Sequence, residues 1–299
     1  MSHACFLCRS DQLTPVLDVG LQPISNRFLQ TPTEDEERFP IALQQCDTCG
    51  LVQIDQPVPA RALVPPYDWI TYSEPEGHLD ELVEILMTLP GIGAGSVAGG
   101  LSFKDDSTLA RLERKGLRTW RLDLRDDLDV RDARSGLGVE TVQDRLTPAV
   151  ADRIVSQRTP ADVLIVRHIL EHASAPLEFI DALTRLVAPN GFLVVEVPDC
   201  SRAMDGGDYT TIWEEHTMYY TPETFRHGFP NRGLRVIRME NYQYPFENSL
   251  VAIVATNVSS ESTLPDSTVA ERERRRGVSF AERFQTSRDR VRESLSAHR

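Results

Sequence analysis

The sequence is poor in the features that would place a chain in a membrane, on nucleic acid or outside the cell. No apolar run approaches the ~20 residues of a membrane span. The N-terminus lacks the basic, apolar and small-residue regions of a secretory leader. Lysine and arginine form no clustered basic face and the net charge is −13, which argues against nucleic acid as a main partner. A small anionic ligand is not excluded, because it needs only a few local donors. There are no internal repeats, so a repeat architecture is out. Cysteine is scarce, with five in 299 residues. The chain therefore reads as cytoplasmic, with neither membrane nor nucleic acid among its partners.

Four of the five cysteines are nevertheless placed with purpose. Cys5-Phe6-Leu7-Cys8 and Cys46-Asp47-Thr48-Cys49 are separated by 37 residues, and Gly50 follows the second pair. Two residues between cysteines let a tight turn aim both thiolates at one metal, and two such turns complete a tetrahedral S4 site. Structural Zn2+ held by Cys5, Cys8, Cys46 and Cys49 is the reading. A single iron or an iron–sulfur cluster also accepts four thiolates, and two disulfides would need an oxidising compartment. Cys200 has no partner in sequence and reads as a half-buried thiol.

Length suggests about two domains. Residues 1–60 read as the zinc-binding module, and 61–94 as a Pro-rich linker with helical spacing from Gly77 to Leu89. From 95 to 258 strands alternate with helices. The strands are Ser96–Leu101, Leu117–Leu122, Asp162–Val166 and Phe192–Val197, and the helices Thr108–Lys115 and Ala175–Leu186. That alternation predicts an α/β fold, a doubly wound Rossmann-like parallel sheet with ligands at the carboxyl ends of its strands. Residues 259–299 read as a polar linker and a charged helical tail. The tail's apolar positions, Val278, Phe280, Phe284, Val291 and Leu295, need something to pack against.

Four strand ends carry polar residues. The first strand runs into Gly99-Gly100-Leu101-Ser102, with Asp106 shortly after. Small residues there would let backbone N–H groups approach a ligand; a tight turn capped by Asp106 or Ser107 is the other reading. The second ends at Asp123, placed to accept hydrogen bonds from a ribose. The next runs into Arg167-His168-Ile169-Leu170-Glu171-His172. Two histidines there would suit a metal, but no third ligand is evident, so contact with substrate or cofactor is read instead. The densest cluster, Trp213-Glu214-Glu215-His216 with Tyr219 and Tyr220, sets a histidine beside two carboxylates, which predicts a raised pKa and general-base chemistry.

Together these elements resemble the zinc-containing, S-adenosylmethionine-dependent sugar C-methyltransferases, which act on nucleotide-linked 4-keto deoxysugars. The likeness rests on the cysteine module and the Pro23-Ile24-Ser25-Asn26-Arg27-Phe28 segment, then on Tyr67 and Tyr72-Ser73. It continues through Arg167–His172 and Gly191–Pro198 to Glu215-His216 followed by Tyr219-Tyr220-Thr221. It covers about residues 1–258 and implies a class I methyltransferase domain. His216 would be the base that removes the proton beside the ketone, with Glu215 orienting it and His172 or His168 touching the ketone or sugar. Gly99, Gly100, Ser102, Asp106, Asp123, Arg167, His168 and Tyr72 would surround S-adenosyl-L-methionine. The chain differs from the family pattern in three places. Phe103-Lys104 occupy the close-approach positions of the cofactor loop. Trp213 stands where a tyrosine is usual, leaving Tyr219 or Tyr220 to compensate. The family's C-terminal domain would begin where this chain stops, which implies either that the chain is a fragment or that a partner chain carries that domain. An accessory subunit that binds cofactor weakly is the alternative function, and an oxidoreductase a more distant one.

Overall fold

The computed structural model describes residues 4–25, 27–65, 74–131, 138–229, 234–256 and 266–298. Two sheets organise the chain. The N-terminal sheet is an antiparallel run of β1 (Leu13–Pro23), β2 (Arg38–Cys46) and β3 (Val52–Ile54). Its fourth strand is β8 (Met218–Tyr219), which belongs by sequence to the second domain and pairs with β3 through Val52↔Tyr219 and Gln53↔Met218.

The second sheet has the order β5-β4-β6-β7-β10-β9. Its strands are β4 (Val97–Gly100), β5 (Arg118–Arg121), β6 (Ala161–Arg167), β7 (Val187–Asp199), β9 (Arg235–Tyr242) and β10 (Asn248–Ala255). The first four in spatial order are parallel, as the alternating pattern predicts. β10 is antiparallel to both neighbours, so the sheet is mixed. The cause is local: β9 and β10 are joined by only a short turn, and a parallel pair needs a crossover of a dozen residues or more. β7 also starts earlier than the apolar run suggests, at Val187, and passes through Asn190 in the left-handed region at φ 67°.

Helices cover both faces. α2 (Leu79–Met87) and α3 (Asp106–Arg114) lie over Ala98, Val163, Ile165, Val194 and Ile253. α5 (Pro148–Gln157) and α6 (Pro176–Leu186) lie over Leu164, Val166, Val195 and Val197. Alternate residues of β6 and β7 thus enter opposite cores, which is why those strands read as unbroken apolar runs. Each fully buried Leu, Ile or Val there contributes about 1.5–3 kcal/mol of transfer free energy. Short helices α1 (Ala60–Leu63), α4 (Val139–Arg145), α7 (Ser201–Gly206) and α8 (Pro222–Arg226) fill the connections. No helix of the described residues is long and apolar enough to cross a membrane.

The tail forms one helix, α9 (Ser267–Ala297), and its N-terminal half finds its partner in the zinc module. Gln45 Nε2 donates to Gly50 O at 2.9 Å and to Glu273 O at 2.8 Å, and Arg274 Nη1 donates to Asp47 O at 2.8 Å. Phe280 is buried and stacks on Tyr209 with ring centroids 4.5 Å apart. Val291 and Leu295, further along, stay exposed. The helix approaches closely because Gly277 lies on Gln45, where an added Cβ would fall 2.4 Å from Oε1. Gln45 is buried and bonded at its amide, so it cannot swing aside. Gly277→Val is therefore expected to cost about 1–3 kcal/mol through overpacking. Thermal unfolding checks this, and an unchanged midpoint would mean that α9 is not seated there.

Candidate active site and metal centre

The two cysteine turns have the same construction. Arg9 N donates to Cys5 O at 3.1 Å and Gly50 N donates to Cys46 O at 2.8 Å, with Arg9 and Gly50 both left-handed at φ 64° and 79°. Cys5 Sγ lies 3.5 Å from Cys49 Sγ and Cys8 Sγ 3.5 Å from Cys46 Sγ, and all four sulfurs are within 4.8 Å of one another. A tetrahedral ion with Zn–S bonds of about 2.3 Å needs edges of about 3.8 Å. The four-cysteine set thus fits a structural zinc. Cys200 stands apart, buried beneath Thr211, and burial pushes its thiol up.

At the carboxyl ends of β6 and β7 a buried carboxylate gathers its neighbours. Glu196 Oε2 accepts from Arg167 Nε at 2.5 Å. Its Oε1 accepts from Ser249 Oγ at 2.5 Å and lies 3.2 Å from His168 Nε2 and 3.3 Å from His78 Nε2. His168 Nδ1 faces Glu171 Oε1 at 3.4 Å. Burial opposes the charge on His168, but Glu171 and Glu196 outweigh it and raise its pKa to about 10. Burial likewise opposes the charges of Glu171 and Glu196. His168 overcomes this, holding Glu171 at about 2 and, with His78 and Arg167, Glu196 well below the carboxylate range. Arg167 and His168, read from sequence as cofactor contacts, sit within this ionic cluster. Arg167 further donates to Lys104 O at 2.7 Å and to Pro75 O at 3.1 Å, which ties the cluster to the loop after β4.

That loop is closed on itself. Asp105 is fully buried; its Oδ2 accepts from Leu101 N and Ser102 N, and its Oδ1 from Arg167 N. Burial raises Asp105 to about 6 against those three donors. Ser102 caps the turn by accepting from Lys104 N, whereas Asp106 pairs with Arg121 at 2.6 Å and Ser107 Oγ donates to Glu76. The cap is thus Ser102 with Asp105, not Asp106 or Ser107. Gly99 and Gly100 answer to packing. A Cβ on Gly99 would fall 2.5 Å from the Trp120 ring, and one on Gly100 2.8 Å from Leu109 Cδ1. Lys104 is buried and donates to Glu74 at 2.7 Å. Asp123, by contrast, is exposed just past β5. Arg125 N and Asp126 N both donate to its Oδ1 and lower its pKa. That carboxylate has the chemistry for the ribose diol of S-adenosylmethionine. Tyr72, with Tyr67, lies outside the described residues.

A second polar cluster forms around His172 and the half-buried His216. His172, from the turn after β6, meets His216 edge to face with ring centroids 4.9 Å apart. Glu140 of α4 presents Oε1 3.4 Å from His172 Nδ1. Ligand-capable atoms of Glu171, His172 and His216 lie within 4.8 Å of one another, as do those of Glu140, His172 and Glu215. The expected raised pKa of His216 is reversed: burial, then His172, lowers it to about 3. The adjacent carboxylates turn elsewhere, which explains the reversal. Glu214 Oε1 accepts from Ser25 N and Oγ at 2.6 and 2.7 Å, and Glu215 groups with Glu140 and His172. Burial, then Glu140, raises Glu215 to about 7. Tyr219 is buried with its hydroxyl donating to Trp213 O at 3.1 Å, and Tyr220 donates to Met218 Sδ. Sequence reasoning missed Glu140, Glu196, His78 and Asp105. A lone glutamate inside the apolar run Phe192–Val197 was the available signal for Glu196.

Residues 5–63 match the family model described as "Putative zinc binding domain", and residues 91–239 the one described as "Methyltransferase domain". The chain thus combines a four-cysteine zinc-binding domain with a class I S-adenosylmethionine-dependent methyltransferase domain. It is similar to the C-methyltransferase NovU of Streptomyces niveus, 23% identical over 237 residues, 78% of this chain and 56% of that protein. The chain thus spans little more than half the length of that relative. Among solved structures it is similar to the 1,6-didemethyltoxoflavin-N1-methyltransferase of Burkholderia thailandensis, at 13% identity and a TM-score of 0.41 over 60% of this chain and 78% of that one. It is also similar to the magnesium protoporphyrin IX methyltransferase of Synechocystis, at 12% identity and 0.38 over 59% and 80%.

The ionic cluster makes stability depend on pH. His168 titrates at 6.5 in the unfolded chain and about 10 in the fold, so its contribution is complete below pH 6.5 and lost as pH rises through about 10. His168→Asn suits the left-handed backbone at φ 49° but removes the charge. It should cost about 3–5 kcal/mol at pH 7 and flatten the fall in unfolding midpoint between pH 7 and 10. A wild-type midpoint constant across that range would contradict the charged assignment.

Proposed function

We propose that this chain methylates carbon, using S-adenosylmethionine and a nucleotide-linked keto-deoxysugar or related carbonyl metabolite, with His216 as the base. The observation that carries the reading is the cluster just past β6, where His172 joins His216 and Glu171 on one side and Glu140 and Glu215 on the other. The similarity to a C-methyltransferase and the methyltransferase domain support it.

The chemistry follows from the residues. A ketone acidifies the hydrogen on its neighbouring carbon, and a positioned base contributes about 10²–10⁴-fold to removing it. Burial, then His172, keeps the His216 imidazole neutral, while Glu171 pulls the other way and favours its protonated form. Glu171, held ionised by His168, would stabilise the imidazolium once the proton has moved. His172 and Glu215 face the same space and would contact the sugar or its carbonyl. Asp123 would hold the ribose of the methyl donor, with the self-closed loop of Leu101–Asp105 forming the floor. Bound S-adenosylmethionine would supply the methyl carbon, electrophilic because its C–S bonding pair leaves with a neutral thioether. Oxygen methylation would use the same base.

A second reading is favoured by one observation: the N–H groups of Leu101 and Ser102 are spent on Asp105. In that reading the chain is an accessory subunit that binds cofactor weakly and works with a partner chain supplying further nucleotide-sugar contacts. The two separate on a ¹³C-methyl donor and a nucleotide-linked 4-keto deoxysugar followed by NMR. The enzyme should yield a methyl group bonded to the carbon beside the carbonyl. His216→Ala should lower turnover by about 10²–10⁴-fold with the unfolding midpoint unchanged. Near-normal turnover in that variant would remove His216 from the base role.

A further inference from the structure

We propose that Glu140, His172 and Glu215 form a second metal site, separate from the four-cysteine centre, that takes one divalent cation beside the reacting carbonyl. An oxygen of each glutamate and a ring nitrogen of His172 lie within 4.8 Å of one another, and all three residues are buried. Ions with bonds of about 2.1 Å place adjacent donors about 3 Å apart and opposite ones about 4.2 Å apart. The three donors therefore stand close to one coordination sphere. They come from three different elements: α4, the turn after β6, and the loop before β8. Their convergence is a tertiary feature and not a by-product of one acidic stretch.

The orphaned atoms point the same way. His172 is 6% exposed and its Nδ1 makes no hydrogen bond, the nearby Glu140 Oε1 standing off at 3.4 Å. Glu171 Oε2 and His216 Nδ1, of the overlapping cluster on His172, are also buried without a hydrogen-bond partner among the described residues. Polar atoms left unpaired in a buried site are costly. A cation on Glu140, His172 and Glu215 would satisfy the ring nitrogen of His172, whereas Glu171 Oε2 and His216 Nδ1 belong to the overlapping cluster, which the Glu171→Gln variant separates from this one. Two carboxylates and an imidazole suit a hard to borderline ion, Mn2+ or Mg2+ before a thiophilic one.

The role assigned to the ion rests on the methyl-transfer reading; its binding does not. The hydroxyl of Tyr219 is committed to Trp213 O and the indole N–H of Trp213 to Thr210 O, so neither is left to donate to an enolate oxygen. A cation on Glu140, His172 and Glu215 would polarise the ketone and hold the developing negative charge, while His216 takes the proton.

The test is titration of the zinc-loaded full chain with Mn2+, followed by electron paramagnetic resonance, with neither methyl donor nor sugar present. One Mn2+ should bind per chain with the zinc content unchanged. Glu140→Gln and Glu215→Gln should each weaken binding at least tenfold, and Glu171→Gln should keep it. No bound Mn2+ up to millimolar concentration overturns the site, as does binding that survives both substitutions. Binding lost only in Glu171→Gln assigns the ion to Glu171, His172 and His216 and overturns this triad. Failure here leaves the methyltransferase reading untouched, and failed methyl transfer with Mn2+ bound leaves the site standing.

Discussion

The carboxylate of Glu196 is the point on which the two halves of the α/β domain depend. It is buried in β7, where an unpaired charge would cost several kcal/mol. Arg167 at the end of β6, His168 just past it, Ser249 from β10 and His78 at the start of α2 all converge on it. Arg167 then carries the arrangement to the loop after β4, by donating to Lys104 O and, through its amide, to Asp105. One anion thus fixes the relative height of three strand ends and of the loop beside them. Hydrophobic packing alone has no such direction. It would leave the strand ends free to slide by fractions of an ångström, which is the scale that positioning a methyl donor against an acceptor requires.

The zinc module serves the same end from outside. Its sheet accepts β8, and Ile54 N donates to Thr217 O at 2.9 Å while Thr217 N donates to Glu171 O at 2.7 Å. Ser25 holds Glu214 from the same side. The segment 213–217 that carries His216 is therefore clamped between the metal-pinned sheet and the turn after β6. A structural zinc on the four cysteines acts in this way as support for the loop that carries His216. α9 closes the arrangement by covering the second cysteine turn.

Much of the fold was legible because its signals are local. Cysteine spacing reports a metal turn, and unbroken apolar strands report a sheet covered on both faces. β9 and β10 are not among the strands read from the sequence, although Leu250–Ala255 is an unbroken apolar run, and the direction of such a run is not legible in any case. The limits at the site have one cause: adjacency in sequence does not set where side chains point. Glu214, Glu215 and His216 are consecutive, yet they face Ser25, the Glu140–His172 pair and the edge of His172 respectively. Gly99 and Gly100 look like a ligand loop in sequence, whereas Trp120 and Leu109 occupy the space that a side chain would need. Glu140 belongs to α4, in a stretch with no periodicity to flag it, so its approach to His172 emerges only from the tertiary fold.

The central claim is that this self-closed loop still belongs to a working methyl-donor site. Isothermal titration of the zinc-loaded chain with S-adenosylmethionine and with its demethylated product tests it most directly. The account predicts micromolar binding at one site per chain, weakened at least tenfold by Asp123→Ala. A folded, zinc-loaded chain that takes up neither compound would contradict it, and would leave the accessory reading in its place.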